Sequence, residues 1–400
     1  MTLDNLHFLL SPEGERWLRE TAVTPITPHN HLQIVSRLRK YLPPAQTQAV
    51  LETAVLRQQA TTKFGRAGQM FFTRPALEQS SSEIISRYRA RRFAAGDYTH
   101  VADLGCGIGG DALGLAEQAR VTAVDWDPVR LTMAQENVRV YGGSHNFQPL
   151  QADLLTLPPF PVEAVFFDPG RRDEHGRRFF SVQQYQPPLS LIERWREKVT
   201  GQTAVKISPG VQYAEIPADT EAEFISVQGN VKECVLWYED LRSGVNRRAT
   251  LLPAGVTLTD LDLPLEPTPV TRPKAFLYEP DGAVIRAHLV QALALQLGAS
   301  KIDEEIAYVT ADTAVNTPFA TCYTVEDVFP FQLKRLRHYL QERQIGRVTI
   351  KKRGSAIEPE TLQQQLRLRG PKDHHCFIFL TRIQGEAAVI IGQKTLLTIT

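Results

Sequence analysis

The chain is poor in cysteine. Only Cys106, Cys234, Cys322 and Cys376 occur in 400 residues, far apart and with no CxxC pair. That excludes a disulfide-stapled scaffold and a zinc ribbon. His374-His375-Cys376 sets three ligand types in a row, but neighbouring strand residues point to opposite sides and no fourth ligand is near, so no metal is expected. Net charge is also nearly absent: 45 Lys/Arg against 44 Asp/Glu leave +1, and no global field draws the chain to a polyanion. No apolar run approaches the ~20 residues of a membrane helix. The opening MTLDNLHFLLSPEGERW has neither a cationic lead nor a signal-like apolar stretch. A soluble, cytoplasmic protein is the expectation.

What is present is 42% apolar content over a length suited to two or three domains. Charge is unevenly spread. Residues 1–100 hold 13 Lys/Arg against 8 Asp/Glu, residues 101–267 hold 15 against 23, and residues 268–400 hold 17 against 13. From residue 330 onward the balance is 13 against 5, so positive charge gathers near the C-terminus.

Residues 1–96 read as an N-terminal helical region. A basic cluster, Arg87, Arg89, Arg91 and Arg92, lies at its far end, where a solvated helix face is the plain expectation. From Val101 short apolar runs alternate with helical patterns: VADL, VTAVD, FQPLQ, VEAVFF, TAVKIS, FISVQ and ECVLWY are seven strand candidates. Alternation of this kind predicts an α/β fold, a seven-stranded doubly wound, Rossmann-like sheet over residues 97–252. Gln228-Gly229-Asn230 predicts a hairpin before the last strand, which is then antiparallel. Five prolines in residues 253–274 read as a linker. Residues 275–400 mix helices and strands as an α+β domain.

The strongest chemical signal is VADLGCGIGGDALGLA, residues 101–116, where Gly105, Gly107 and Gly110 satisfy G-x-G-x-x-G between a strand and a helix. Asp103 decides what the loop approaches. A carboxylate beside it repels a pyrophosphate and suits a ligand with a cationic amine and a sulfonium, since opposite charges at ~4 Å gain about 4 kcal/mol at an effective dielectric of 20. S-adenosylmethionine (SAM) is such a ligand, and the glycines then admit its methionine part. Asp125 ends the next strand, where a carboxylate can accept from both ribose hydroxyls, and the Trp126 indole can pack on adenine. Asp153 follows the third strand, near the adenine edge. Asp168 and Pro169 follow the fourth, over the reactive centre. Four acids at successive strand ends match a ligand beyond the carboxyl ends of a parallel sheet.

With these elements residues 70–240 resemble the class I SAM-dependent methyltransferases. LTMAQENVRVYG, with Asn137 and Tyr141-Gly142, further resembles RNA-directed members such as the trimethylguanosine synthase group. Residues 275–395, with IGRVTIKKRGSAIEPE, resemble the THUMP-like domain appended to a bacterial branch. The resemblance implies that Asp103, Gly105, Gly107 and Gly109 face methionine, Asp125 the ribose and Asp153 the adenine. It departs at the fourth strand, where Asp168-Pro169-Gly170-Arg171-Arg172 replaces the Asp/Asn-Pro-Pro-aromatic of amine-methylating relatives. Phe179, Phe180 or Tyr185 can supply the stacking ring from the following loop, although core packing is the favoured use of the phenylalanines.

Two basic elements suit RNA phosphates. Arg171, Arg172, Arg177 and Arg178 border the transfer loop, with pairing to Asp173 and Glu174 as the alternative. In RVTIKKRG, alternation puts Arg347, Thr349, Lys351 and Arg353 on one face, with Lys352 beside them, and the preceding helix adds Lys334, Arg335, Arg337, His338 and Arg343. The reading that follows is a SAM-dependent methyltransferase modifying a base in structured RNA. A protein or small-molecule acceptor, or a non-catalytic SAM-sensing RNA-binding protein, remains the alternative; an NAD oxidoreductase is disfavoured by Asp103.

Overall fold

The computed structural model describes residues 1–171, 177, 179 and 181–395. It forms two compact units, residues 1–220 with 235–243, and residues 221–234 with 244–400.

The first unit opens with six helices, α1 (Leu3–Leu10), α2 (Pro12–Ala22), α3 (His31–Leu38), α4 (Pro44–Ala60), α5 (Arg74–Gln79) and α6 (Glu83–Ala94). Prolines sit in the first turns of α2, α4 and α5, where their missing N–H costs no bond. α4 buries Val50, Leu51, Ala54 and Leu56. α6 is not the solvated basic face expected from sequence. Arg87 and Arg91 are exposed, but Arg89 is 2% exposed and ion-paired to Asp111, and Arg92 stacks over Trp237 while donating to the Leu241 carbonyl.

The strands β1 (His100–Leu104), β2 (Arg120–Asp125), β3 (Phe147–Gln151), β4 (Ala164–Phe167) and β5 (Thr203–Ile207) follow, with α7 (Ala112–Ala116), α8 (Pro128–Val140) and α9 (Ser190–Lys198) between them. They lie in the order β3-β2-β1-β4-β5, all parallel. β1, β4 and β5 are buried along nearly their whole length, as strands covered on both faces must be. Asp127 caps α8 by accepting from the Val129 and Arg130 amides, and Gly142, at φ +85°, follows its end. Buried Asn137 of α8 binds the Phe71 amide at 2.7 Å and the Phe71 and Ile108 carbonyls at 3.0 and 2.9 Å. One side chain thereby ties the helical region to the glycine loop. The Tyr238 amide bonds the Thr203 carbonyl, so the strand ending at Trp237 runs against β5.

β6 (Glu221–Val227) opens the second unit and turns through Gln228 and Gly229, both at positive φ, into β7 (Asn230–Trp237), whose last residues, 235–237, belong to the first. This is the hairpin expected from Gln228-Gly229-Asn230. β6 pairs in parallel with β8 (Arg247–Leu252), which pairs antiparallel with β9 (Val256–Thr259). β9 lies inside the proline-rich segment, so residues 256–259 of it are sheet. Beyond it come β10 (Phe276–Pro280), α10 (Gly282–Arg286), α11 (Val290–Leu297), β11 (Ser300–Lys301), β12 (Val309–Ala311), β13 (Ala320–Pro330), α12 (Leu333–Glu342), β14 (Arg347–Lys352), α13 (Pro359–Leu366), β15 (His375–Ile383) and β16 (Glu386–Lys394). These strands form a second sheet in the order β11-β12-β10-β13-β16-β15-β14. Leu336, Leu340, Leu362 and Leu366 of α12 and α13 pack on Ile378, Leu380, Val389 and Ile391. No helix among the described residues is long and apolar enough to cross a membrane, and no group of three or more His, Cys, Asp or Glu among them could hold a metal ion.

Candidate active site

The carboxyl ends of β1, β2, β4 and β5 come together around the glycine loop. Gly105, Gly107 and Gly109 have φ of +82°, +56° and +80°, a region open to glycine and costly for other residues. A Cβ on Gly105 would lie 2.8 Å from the Asp168 carbonyl, and one on Gly109 3.1 Å from Ala134, whereas one on Gly107 would meet nothing within 4 Å. Two glycines permit packing of the loop against its neighbours. The third leaves a cradle beside it. Gly110, the last position of the G-x-G-x-x-G pattern, lies against Ser80 and Ser81, so it serves helix packing.

Asp125, 5% exposed, holds this loop. Its Oδ2 accepts from the Gly107 amide at 3.0 Å and its Oδ1 from the Asp127 amide at 2.9 Å. Burial pushes its carboxyl above the usual range, against the opposing pull of Arg130 and of the two amides. Each oxygen keeps a lone pair for a ribose hydroxyl. Next to it Trp126 is 67% exposed, with Arg130 over its ring at 5.4 Å, an apolar plate open to an adenine face. Asp153 is exposed, and its Oδ1 accepts from the Leu155 amide at 2.9 Å, which orients the carboxylate in a tight turn.

Asp103 behaves differently from the expectation of an open strand end. It is 0% exposed, and neither carboxylate oxygen has a hydrogen-bond partner. Burial, then the charges of Asp111 and Asp168, push its carboxyl well above the usual range, outweighing Arg89 and Lys206. Arg89 of α6, Asp111 before α7, Asp168 after β4 and Lys206 of β5 surround it. Sequence reasoning missed the residues around it. Arg89 binds the Ser81 hydroxyl at 3.0 Å and pairs with Asp111, which is 7% exposed. Burial raises the Asp111 carboxyl, but Arg89 and Lys206 together leave it below its ordinary value. Lys206 of β5, 2% exposed, donates to Asp168 Oδ2 at 2.7 Å and lies 3.8 Å from Asp111 Oδ2.

Asp168 is partly open, with its side chain 21% exposed. Its amide bonds the Leu104 carbonyl, which sets β4's end against β1. Pro169 is buried, and Gly170 bridges to Gln186 through two backbone hydrogen bonds. Arg171 is half-buried and acts electrostatically on Asp111. Arg172, Arg178, Asp173, Glu174 and Phe180 lie outside the described residues. Tyr185 is 1% exposed, and its hydroxyl accepts from the Ser208 amide at 3.1 Å, so its ring belongs to the core and not to a stacked base. Phe179 is half-buried.

On β14 alternation holds for Arg347, Val348 and Thr349 and then weakens. Arg347 and Lys352 are exposed. Lys351 is half-buried against Glu279, Lys352 reaches Glu358 at 2.6 Å, and Arg353 lies over the Tyr308 ring at 5.1 Å. The single cationic face expected there is thus partly engaged by the protein itself. On α12, Lys334, Arg335 and His338 are exposed, as is Arg343 just after it.

These residues fit SAM: an open cradle at Gly107, a loop-fixing acid in Asp125, an exposed indole, and an orphaned buried carboxyl in Asp103. Comparison with known proteins agrees. A methyltransferase domain model matches residues 101–168, a THUMP domain-like model residues 320–394, and a domain of unknown function residues 2–60. Proteins of Mycobacterium tuberculosis strains CDC 1551 and H37Rv, described as uncharacterized SAM-dependent methyltransferases, are 36% identical over 350 residues, covering 84% of this chain and 92% of theirs. The crystal structure of a candidate methyltransferase from Porphyromonas gingivalis W83 shares the fold, with TM-score 0.72 and 18% identity over 93% of this chain and all of that one. The chain is therefore an enzyme that takes SAM as its cofactor, and it belongs to the SAM-dependent methyltransferases that carry a THUMP-like domain.

Proposed function

We propose that this enzyme methylates a base in structured RNA. The observation that carries the acceptor class is the THUMP domain-like match over residues 320–394, together with the exposed cations Lys334, Arg335, Arg343 and Arg347 within that span. Cations that track phosphates supply affinity without reading sequence. The finer likeness to the trimethylguanosine synthase group belongs to this same reading, as do the cytoplasmic location and the domain limits 97–252 and 275–400.

SAM supplies an electrophilic methyl group on a sulfonium. Asp125 orients the ribose, Asp153 the adenine and Trp126 its face, while Gly105, Gly107 and Gly109 admit the methionine part. Lys206 fixes Asp168 by its Oδ2, which turns Oδ1 into the oxygen for the acceptor. There it accepts a hydrogen bond from the attacking amine as positive charge grows on the nitrogen. Pro169 stiffens the loop, and positioning of the two reactants accounts for much of the acceleration. Arg171 and Arg172 hold flanking phosphates.

Incubating the enzyme and methyl-labelled SAM with RNA from cells lacking the gene tests this reading. Label should enter RNA, and Asp168→Ala should reduce transfer at least tenfold while SAM affinity changes less than about threefold. Affinity falling in step with activity would assign Asp168 to cofactor binding instead.

A further inference from the structure

Many cations of the first unit are engaged within it: Arg57 donates to the Met70 carbonyl, Arg87 and Arg89 pair with acids, and Arg194 donates to the Leu154 and Leu157 carbonyls. The turn that closes α3 differs. Arg37, Arg39 and Lys40 are exposed there, and among the described residues none of them is in an ion pair. No Asp or Glu occurs between Glu20 and Glu52, and Glu20 is itself paired with Arg16 at 3.9 Å, so the segment supplies no counter-charge of its own. Its shape follows from two leucines. Leu38 and Leu42 are 0% and 5% exposed, and the Tyr41 and Leu42 amides both bond the Leu38 carbonyl, at 3.0 and 2.9 Å. Burying both leucines turns Arg39, Lys40 and Tyr41 outward, and Pro43 and Pro44 stiffen the chain as it enters α4. Tyr41 is 68% exposed, yet its ring rests on buried Trp17 with centroids 5.4 Å apart. A ring backed from inside, open to solvent and flanked by cations is what single-stranded nucleic acid requires: a face for a base and charges for its phosphates. A lipid surface would need a continuous apolar face, but α3 turns out only Leu32, while Ile34 and Val35 are half-buried and Leu38 is buried.

We infer that this turn is a contact for single-stranded RNA, with one unpaired base stacked on Tyr41 and the flanking phosphates held by Arg37, Arg39 and Lys40. It lies within residues 2–60, the span matched by a domain of unknown function, and in a different unit from the THUMP-like part. The inference rests on RNA as the acceptor class and deepens it: the substrate presents an unpaired strand beside its structured part.

Titrating the full-length protein into a fluorescein-labelled oligouridine over a range of salt concentrations tests it. Tyr41→Ala should weaken binding about tenfold with the salt slope unchanged, and Tyr41→Phe, which keeps a stacking ring, should bind as wild type does. Replacing Arg37, Arg39 and Lys40 together with Ala should flatten the log–log slope by roughly two units. Affinity for S-adenosylhomocysteine should stay the same in all three. Photocrosslinking of wild-type protein to an oligouridine carrying one 4-thiouridine needs no variant, and its adduct should fall within residues 37–42. Wild-type affinity and slope in Tyr41→Ala and in the triple variant overturn the inference, as does an adduct found only elsewhere. A Tyr41→Phe protein as weak as Tyr41→Ala overturns the stacked base. Variants that keep RNA affinity but lose binding to phosphatidylserine vesicles would make the turn a lipid surface instead. Methyl transfer to cellular RNA is measured alongside: its absence strikes the acceptor reading, whereas its presence with unaltered oligouridine binding in the variants strikes this contact alone.

Discussion

At Asp125 one carboxylate has two tasks. It pins the glycine loop through the Gly107 amide and, on the proposed reading, takes the ribose hydroxyls with its remaining lone pairs. Asp125→Ala should therefore weaken SAM binding by about 1–3 kcal/mol and also lower stability by on the order of 1 kcal/mol as the loop amides lose their acceptor. Calorimetry and thermal melts on the same preparation check both, and unchanged SAM affinity would remove Asp125 from the ribose site. Asp103 makes an opposite prediction for stability. Burial raises its folded value above the ordinary carboxyl value, so between the two the native state binds more protons than the unfolded one. Stability from this group falls as pH rises through that window. The unliganded wild type should melt progressively lower than Asp103→Asn as pH is raised from about 5 to 8. Parallel melting curves over that range contradict a neutral buried Asp103.

Among the elements, those with local causes were legible in the sequence. The glycine pattern needs only neighbouring residues, and Gly105, Gly107 and Gly109 do take positive φ. Pro128 in the first turn of α8 and Gly142 after its end are local signals of the same kind. Strand ends at Asp125 and Asp168 followed from short apolar runs. What escaped has a tertiary cause. Lys206 sits inside the apolar run TAVKIS and Arg89 inside a basic helix, and neither pattern reveals that they meet Asp168 and Asp111 across the sheet end. α10 and α11 are separated at His288, at φ +56°, a break that no local signal announces. On β14 the pairing of Lys351 with Glu279, 72 residues away, redistributes the basic surface. Phosphate contact should consequently rest on Arg347 and on Lys352, whose partner Glu358 is exposed, whereas Glu279 is not. Replacing both with Ala should flatten the log–log salt dependence of RNA binding by roughly 1.4 to 1.8 units, alike for RNAs of different sequence and without altering SAM affinity. An unchanged slope would leave this strand out of the RNA surface.

For the whole molecule, neutrality conceals a division of labour. An acidic middle segment holds the glycine loop with Asp103, Asp125 and Asp168, and the most basic segment, beyond residue 330, lies within the THUMP-like part. Composition revealed that asymmetry, and strand alternation revealed the methyltransferase sheet. Neither reveals the acceptor, because the ring expected to stack on a base has no fixed place in the pattern and Tyr185 turns into the core. The central claim is methyl transfer to RNA, and comparing modified nucleosides in cellular RNA with and without the gene, by mass spectrometry, tests it most directly. The account predicts that one methylated nucleoside disappears in the deletion and returns with the wild-type gene but not with Asp168→Ala. An identical nucleoside profile in all three strains would contradict it.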